Sequence, residues 1–217
     1  MDDVGSGRVF VGVSLRNKKL TAKAVSHLGG VARDRFSARR LVFLLADELE
    51  LINLRAFGSE SEAAHERSIE EQCQELESSI SEGSALPGFP SQMHVETVRW
   101  RSILNNHYWR CYFDLFSTFI VNSAFRDAIQ AATSQFVDRR RIPLDDSRSM
   151  YLCQYVLAEM PVLLRGIRMG NKHFQAMIYP AAGSVGIDKI ADDLSEGVYG
   201  DLPSFERQCA VATVPAP

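Results

Sequence analysis

Two short apolar runs constrain this chain more than any other feature. Arg8–Leu15 reads RVFVGVSL and Arg40–Asp47 reads RLVFLLAD. Neither alternates apolar with polar residues, so neither suits a sheet with one face in water. Runs of this kind belong to parallel strands buried under helices on both faces. Between them, Lys19–Leu28 carries apolar residues at helical spacing, which predicts a helix that stops at Gly29-Gly30. Strand, helix and strand in succession predict a βαβ unit. The expected fold class is therefore α/β, a Rossmann-like domain with a mostly parallel sheet flanked by helices.

Further along, 48–57 continues as a short helix, and Ser59–Ile80 is amphipathic with Ile69, Cys73, Leu76 and Ile80 on one face. Residues 82–92 form a loop, marked by glycine and two prolines. Val95–Ile103 reads as a strand, Asn106–Phe136 as one long helix, and Pro143 sits in a loop. Ser147–Leu164 is a helix, Phe174–Ala181 a last strand, and Val185–Leu194 a last helix. After Gly197 the chain reads as a loop ending in a frayed tail. The expectation is one catalytic domain over 1–217, with 1–7 and about 198–217 flexible or peripheral.

Composition narrows the function. The 217 residues carry 24 Lys+Arg against 27 Asp+Glu, a formal charge of −3. This excludes a uniformly basic nucleic-acid binder and leaves room for a local basic patch. Cys73, Cys111, Cys153 and Cys209 form no CxxC pair, so neither a zinc site nor a disulfide framework is expected. Met1-Asp2-Asp3 lacks the pattern of a signal peptide, and no apolar run approaches the roughly 20 residues of a membrane span. A cytoplasmic protein is expected. There is no GxGxxG, no P-loop, no HExxH and no EF-hand loop, and the five histidines lack ligand spacing.

Three short motifs remain. The first is Gly12-Val13-Ser14-Leu15-Arg16-Asn17, at the carboxyl end of the first strand, where open α/β sheets bind ligands. Ser14 there is placed to be a nucleophile or, alternatively, to cap the next helix. Arg16 stands where a nucleophile elbow needs glycine, which counts against an α/β hydrolase. The second is Tyr155 and Glu159, four residues apart and so on one helix face. A carboxylate buried beside a phenol exchanges protons near neutrality; a glutamate on the surface does not. The third is Tyr179-Pro180, at the end of the last strand.

Ser14 in GVSLRN, the Y-x-x-x-E of Tyr155 and Glu159, and Tyr179 together resemble the cyclodipeptide synthases. The resemblance spans residues 8–182. It implies a fold similar to the catalytic domain of class I tyrosyl-tRNA synthetases, two aminoacyl-tRNAs as substrates and a cyclic dipeptide as product. It implies no cofactor, no metal and no membrane, and a monomer. On the matching positions, Ser14 is the nucleophile that carries an aminoacyl and then a dipeptidyl group. Tyr155 and Glu159 hold the substrate ammonium, and Tyr179 relays a proton. Phe10, Gly12, Val162 and Met177 line the first side-chain pocket, with Asn17 and Pro180 beside the site. Asp47 and Asn53 contribute to the second pocket. Pro180 points to the Tyr-Pro branch of the family, although Asn17 is associated with the other branch.

The family's basic tRNA helix has no counterpart here. The helix at 61–82 carries Glu62, Glu66, Glu70, Glu71, Glu75 and Glu77 against Arg67. Positive charge for tRNA is therefore expected at Arg139-Arg140-Arg141, Arg99 and Arg101. Lys18-Lys19, Arg33-Arg35-Arg39-Arg40 and Arg110 are further candidates. The competing function is a non-catalytic tRNA- or nucleotide-binding module of the same fold.

Overall fold

A computed structural model describes residues 7–57, 61–138, 146–180, 186–200 and 205–214. The first half of the chain runs β1 (Arg8–Val13), α1 (Ala22–Phe36), β2 (Arg40–Leu45), α2 (Asp47–Phe57), α3 (Glu62–Ser84) and β3 (His94–Arg99). The second half runs α4 (Asn106–Val121), α5 (Ser123–Asp138), α6 (Asp146–Arg165), β4 (Ile167–Met169), β5 (Lys172–Phe174), β6 (Ala176–Tyr179), α7 (Gly186–Ser195) and β7 (Ala210–Thr213). Five strands form a parallel sheet in the order β3-β2-β1-β6-β7, and β4 and β5 make a separate antiparallel hairpin.

The apolar runs do what their composition predicts. Arg8 pairs with Arg40 and Arg40 with His94, so three strands start level. Alternate residues then feed two cores. Phe10, Val42, Leu44 and Met177 face α4, α5, α6 and α7. Val9, Val11, Val13, Leu41, Phe43, Leu45 and Ile178 face α1 and α3. With both faces covered, β1 and β2 have no use for alternating polar residues.

Several boundaries differ from expectation, each for a packing reason. Helix α1 runs through Gly29-Gly30 to Phe36. A Cβ on Gly29 would sit 2.4 Å from the ring of Phe89, so this glycine admits a neighbour instead of ending the helix. The expected strand at Val95–Ile103 ends at Arg99, and Trp100–Ile103 turns as a 3-10 helix whose first amide donates to Asp47 (2.7 Å). The expected helix Asn106–Phe136 is two helices. Asn122 ends α4 and begins α5: its side chain accepts from the Phe125 amide (2.8 Å) and donates to the Tyr199 carbonyl (2.9 Å). Neither glycine nor proline marks that break.

The chain end is also corrected. Ala210–Thr213 is not a frayed tail but strand β7, paired in parallel with β6. Phe205, Cys209 and Val214 are buried. Arg207 clamps the segment to α7 through Asp188 (2.5 Å) and Asp192. Helix α6 continues through Pro161 to Arg165. Proline removes the amide that Leu157 would have bonded. Next to that gap, the Tyr108 hydroxyl donates to the Ala158 carbonyl at 2.8 Å. Gly166 then ends the helix at φ +70, where a Cβ would lie 2.0 Å from the Phe174 carbonyl.

Candidate active site

From β1 the sheet grows in two directions, toward β2 and β3 on one side and toward β6 and β7 on the other. The crevice for a ligand lies where such a sheet changes direction, at the carboxyl ends of the strands. Ser14 follows β1 and Tyr179 ends β6, so both stand at this crevice.

Ser14 is exposed, and it does not cap the following helix. Thr21 does, accepting from the Ala24 amide at 3.3 Å. The Ser14 carbonyl accepts from the Asn17 amide (2.9 Å), which folds the loop into a tight turn. Val13 and Leu15 are both buried in the layer beneath α1 and α3. Ser14 lies between these two buried residues, just past the end of β1, and is itself exposed. The Asn17 side chain closes its own turn by accepting from the Lys19 amide (3.1 Å).

Helix α6 supplies the acid. Glu159 is 7% exposed, so it is not a surface glutamate. Burial raises its carboxyl pKa from the usual range to about 7, against the lowering effect of a hydrogen bond from the Tyr179 phenol. The charge of Glu159 in turn pushes the Tyr179 hydroxyl well above its ordinary pKa, with burial adding to the shift. Tyr179 thus stays a donor. Tyr155, one turn before Glu159, is half-buried against the same apolar core. The Glu159–Tyr179 pair lines a small cavity with Leu163, Ile187, Asp188, Val211 and Thr213. The last four come from α7 and β7, and nothing in the sequence alone points to them as neighbours of the site.

Phe10, Val162 and Met177 are at most 2% exposed and belong to one core. Phe10 and Met177 are register partners across β1 and β6. The Met177 methyl fills the space over Gly12: a Cβ there would lie 2.5 Å from it. Pro180 is half-buried directly after Tyr179. Asp47 is held by the Trp100 amide, and Asn53 donates to Glu50 at 3.2 Å. A further contact has no signal in the sequence. Arg16, two residues past Ser14, donates through Nε to the buried Glu50 carboxylate at 2.5 Å. This ion pair ties the serine loop to α2.

The expected tRNA-facing arginines fare differently. Arg99 is engaged by the acidic helix α3, at 3.2 Å from Glu70 and 2.9 Å from Glu77. Arg101 is exposed. Arg139, Arg140 and Arg141 lie outside the described residues. Arg33 pairs with Asp34, and Arg40 with Glu96. Among the described residues no helix is long and apolar enough to cross a membrane, and no group of three or more His, Cys, Asp or Glu is arranged to hold a metal ion.

The family model for cyclodipeptide synthases matches residues 5–187. This chain belongs to the cyclodipeptide synthase family. No match was found among curated proteins. The fold of the family is seen in solved structures. A cyclodipeptide synthase from Fluoribacter dumoffii superposes with a TM-score of 0.70 at 14% identity, over 95% of this chain and 89% of that one. One from Staphylococcus haemolyticus gives 0.68 at 20% identity, over 94% and 88%. The tryptophanyl-tRNA synthetase of Encephalitozoon cuniculi gives 0.52 at 13% identity, over 95% of this chain and 52% of that one. The α/β fold is thus shared with a class I synthetase.

Proposed function

We propose that this cyclodipeptide synthase joins the aminoacyl groups of two aminoacyl-tRNAs, with Ser14 as the covalent carrier. The observation that carries the reading is the buried Glu159 carboxylate, bonded to Tyr179 and poised near neutrality at the sheet's carboxyl edge. An ammonium group entering beside it favours the ionised carboxylate and pulls the pKa down. Glu159, with Tyr155 one turn away, thereby binds the substrate's amino group and accepts its proton.

The steps are acyl transfers of an ester that arrives already activated, so no nucleotide is consumed. Ser14 Oγ bonds to the aminoacyl carbonyl; the bond to the ribose oxygen breaks, and that oxygen leaves carrying the serine proton. The amine of the seryl-bound residue then attacks the ester of the second aminoacyl-tRNA. A peptide bond forms, a second tRNA leaves, and the dipeptide stays on Ser14. Finally its free amine attacks the seryl ester. The ring closes and Ser14 regains its proton, relayed by Tyr179. This is covalent catalysis of ping-pong form. Amides near Ser14 stabilise each oxyanion. Phe10, Val162 and Met177 leave little volume beside Gly12, which selects a small first residue. Tyr179-Pro180, together with the acidic α3, supports membership of the Tyr-Pro branch.

The test is transfer of label from aminoacyl-tRNA to protein. Wild type takes up label that hydroxylamine releases, and Ser14→Ala takes up none. Label retained by Ser14→Ala would show that the nucleophile is another residue. Binding of tRNA without label or cyclic product would instead indicate a non-catalytic module.

A further inference from the structure

The acidic α3 leaves open where the tRNA body is held. At the amino end of β1, Arg8 Nη1 reaches the His173 carbonyl of β5 at 3.5 Å. The His173 ring bonds the Arg165 carbonyl at 2.8 Å and meets the His107 ring edge-on at 5.4 Å. Arg168 is the cross-strand partner of His173 in the hairpin and so shares its face. Arg8, Arg165 and Arg168 hold no carboxylate partner among the described residues, unlike Arg16, Arg33, Arg40, Arg55, Arg99 and Arg207; other cations such as Lys23 and Arg67 share that lack but do not surround these rings. Three arginines are thus brought around one pair of rings in a chain whose sum is −3. Their field is felt locally: after burial, Arg168 and Arg165 help push His107 down to about 4, and Arg168 and Arg8 lower His173. Like charges gathered without counter-ions are stabilised by an external polyanion.

We propose that this patch, formed by Arg8, Arg165 and Arg168 around the His107–His173 pair, grips the phosphate backbone of the tRNA body. The inference rests on the function proposed above. Six residues of extended chain separate Arg8 from Ser14, about 20 Å. A duplex whose end delivers its ester at Ser14 can lay its backbone across that distance. The contact is sequence-blind, as an enzyme using two different tRNAs needs.

The test uses the full chain and uncharged tRNA, with affinity measured across a salt series. Arg165 and Arg168 make their internal bonds through backbone carbonyls, so Gln at either leaves those bonds in place. The pair Arg165→Gln/Arg168→Gln lowers affinity about tenfold and flattens the slope of log K against log salt by about 1.5 to 2, the value for two lost phosphate contacts. The pair Arg165→Lys/Arg168→Lys keeps the slope. Lys23→Gln/Arg67→Gln removes the same charge from α1 and α3 and also keeps it. Bound tRNA raises the His107 pKa, read by NMR. A wild-type slope in the Gln pair, or an equal loss in the Lys23/Arg67 control, overturns the proposal. Seryl labelling is scored separately. Labelled wild type whose affinity ignores the patch overturns this inference alone. Patch-dependent tRNA binding without label supports it and overturns the function.

Discussion

Glu159 is where a single buried residue couples stability to proton binding. Its folded pKa of about 7 lies above the ordinary value of 4.5. The folded state therefore binds more protons than the unfolded state between those values, and stability falls as pH rises through that window. The full cost of ionising the group is about 3 kcal/mol, an upper bound from a shift of that size. Glu159→Gln is expected to remove this decline, so that its denaturation midpoint exceeds that of wild type at pH 8 and the two converge near pH 4. The same variant is expected to lose most cyclic-dipeptide formation. A midpoint that follows wild type at every pH would show that Glu159 is not held as a neutral acid.

At the scale of elements, the two adjacent glycines of α1 separate propensity from packing. A Cβ on Gly30 would meet nothing within 4 Å, so Gly30→Ala removes backbone freedom from the unfolded chain at no steric cost. It is expected to stabilise by about 0.5–1 kcal/mol. Gly29→Ala drives its methyl into Phe89 and is expected to destabilise by about 1–3 kcal/mol. Thermal unfolding of the two variants, one residue apart, checks both signs. The break at Asn122 and the passage through Pro161 follow the same logic. Each is a local irregularity with a distant partner beside it: Tyr199 accepts from the Asn122 side chain, and Tyr108 donates to the Ala158 carbonyl next to the gap at Pro161.

Over the whole molecule, the last strand is what completes the site's cavity. Val211 and Thr213 line it beside Glu159 and Tyr179, and Arg207 fastens the approach to α7. Ending the chain before Phe205 removes β7 and uncovers the core reached by Phe205, Cys209 and Val214. The expected loss exceeds about 4 kcal/mol, measured by urea unfolding, with cyclic-dipeptide formation abolished. Charge is also arranged at this scale. Acidity gathers on α3, where Arg99 is drawn in, while Arg8, Arg165 and Arg168, from three different elements, act on the His107–His173 pair.

What the sequence determined by itself was the layered sheet and the order of the candidate motifs. Unbroken apolar runs can be buried only between two helical layers, and a spacing of four sets Tyr155 and Glu159 on one face whatever surrounds them. What it could not carry was anything made by contact between distant segments. Ser14 reads as a nucleophile or as a cap until Thr21 takes the capping role. Glu159 reads as buried or exposed until the sheet closes over it. AVAT near the chain end is too short to declare a strand without β6 beside it. Arg16 counts only against a nucleophile elbow until Glu50 comes within reach. Desolvation, ion pairing and edge-strand addition depend on what lies across space, and only the tertiary structure decides that.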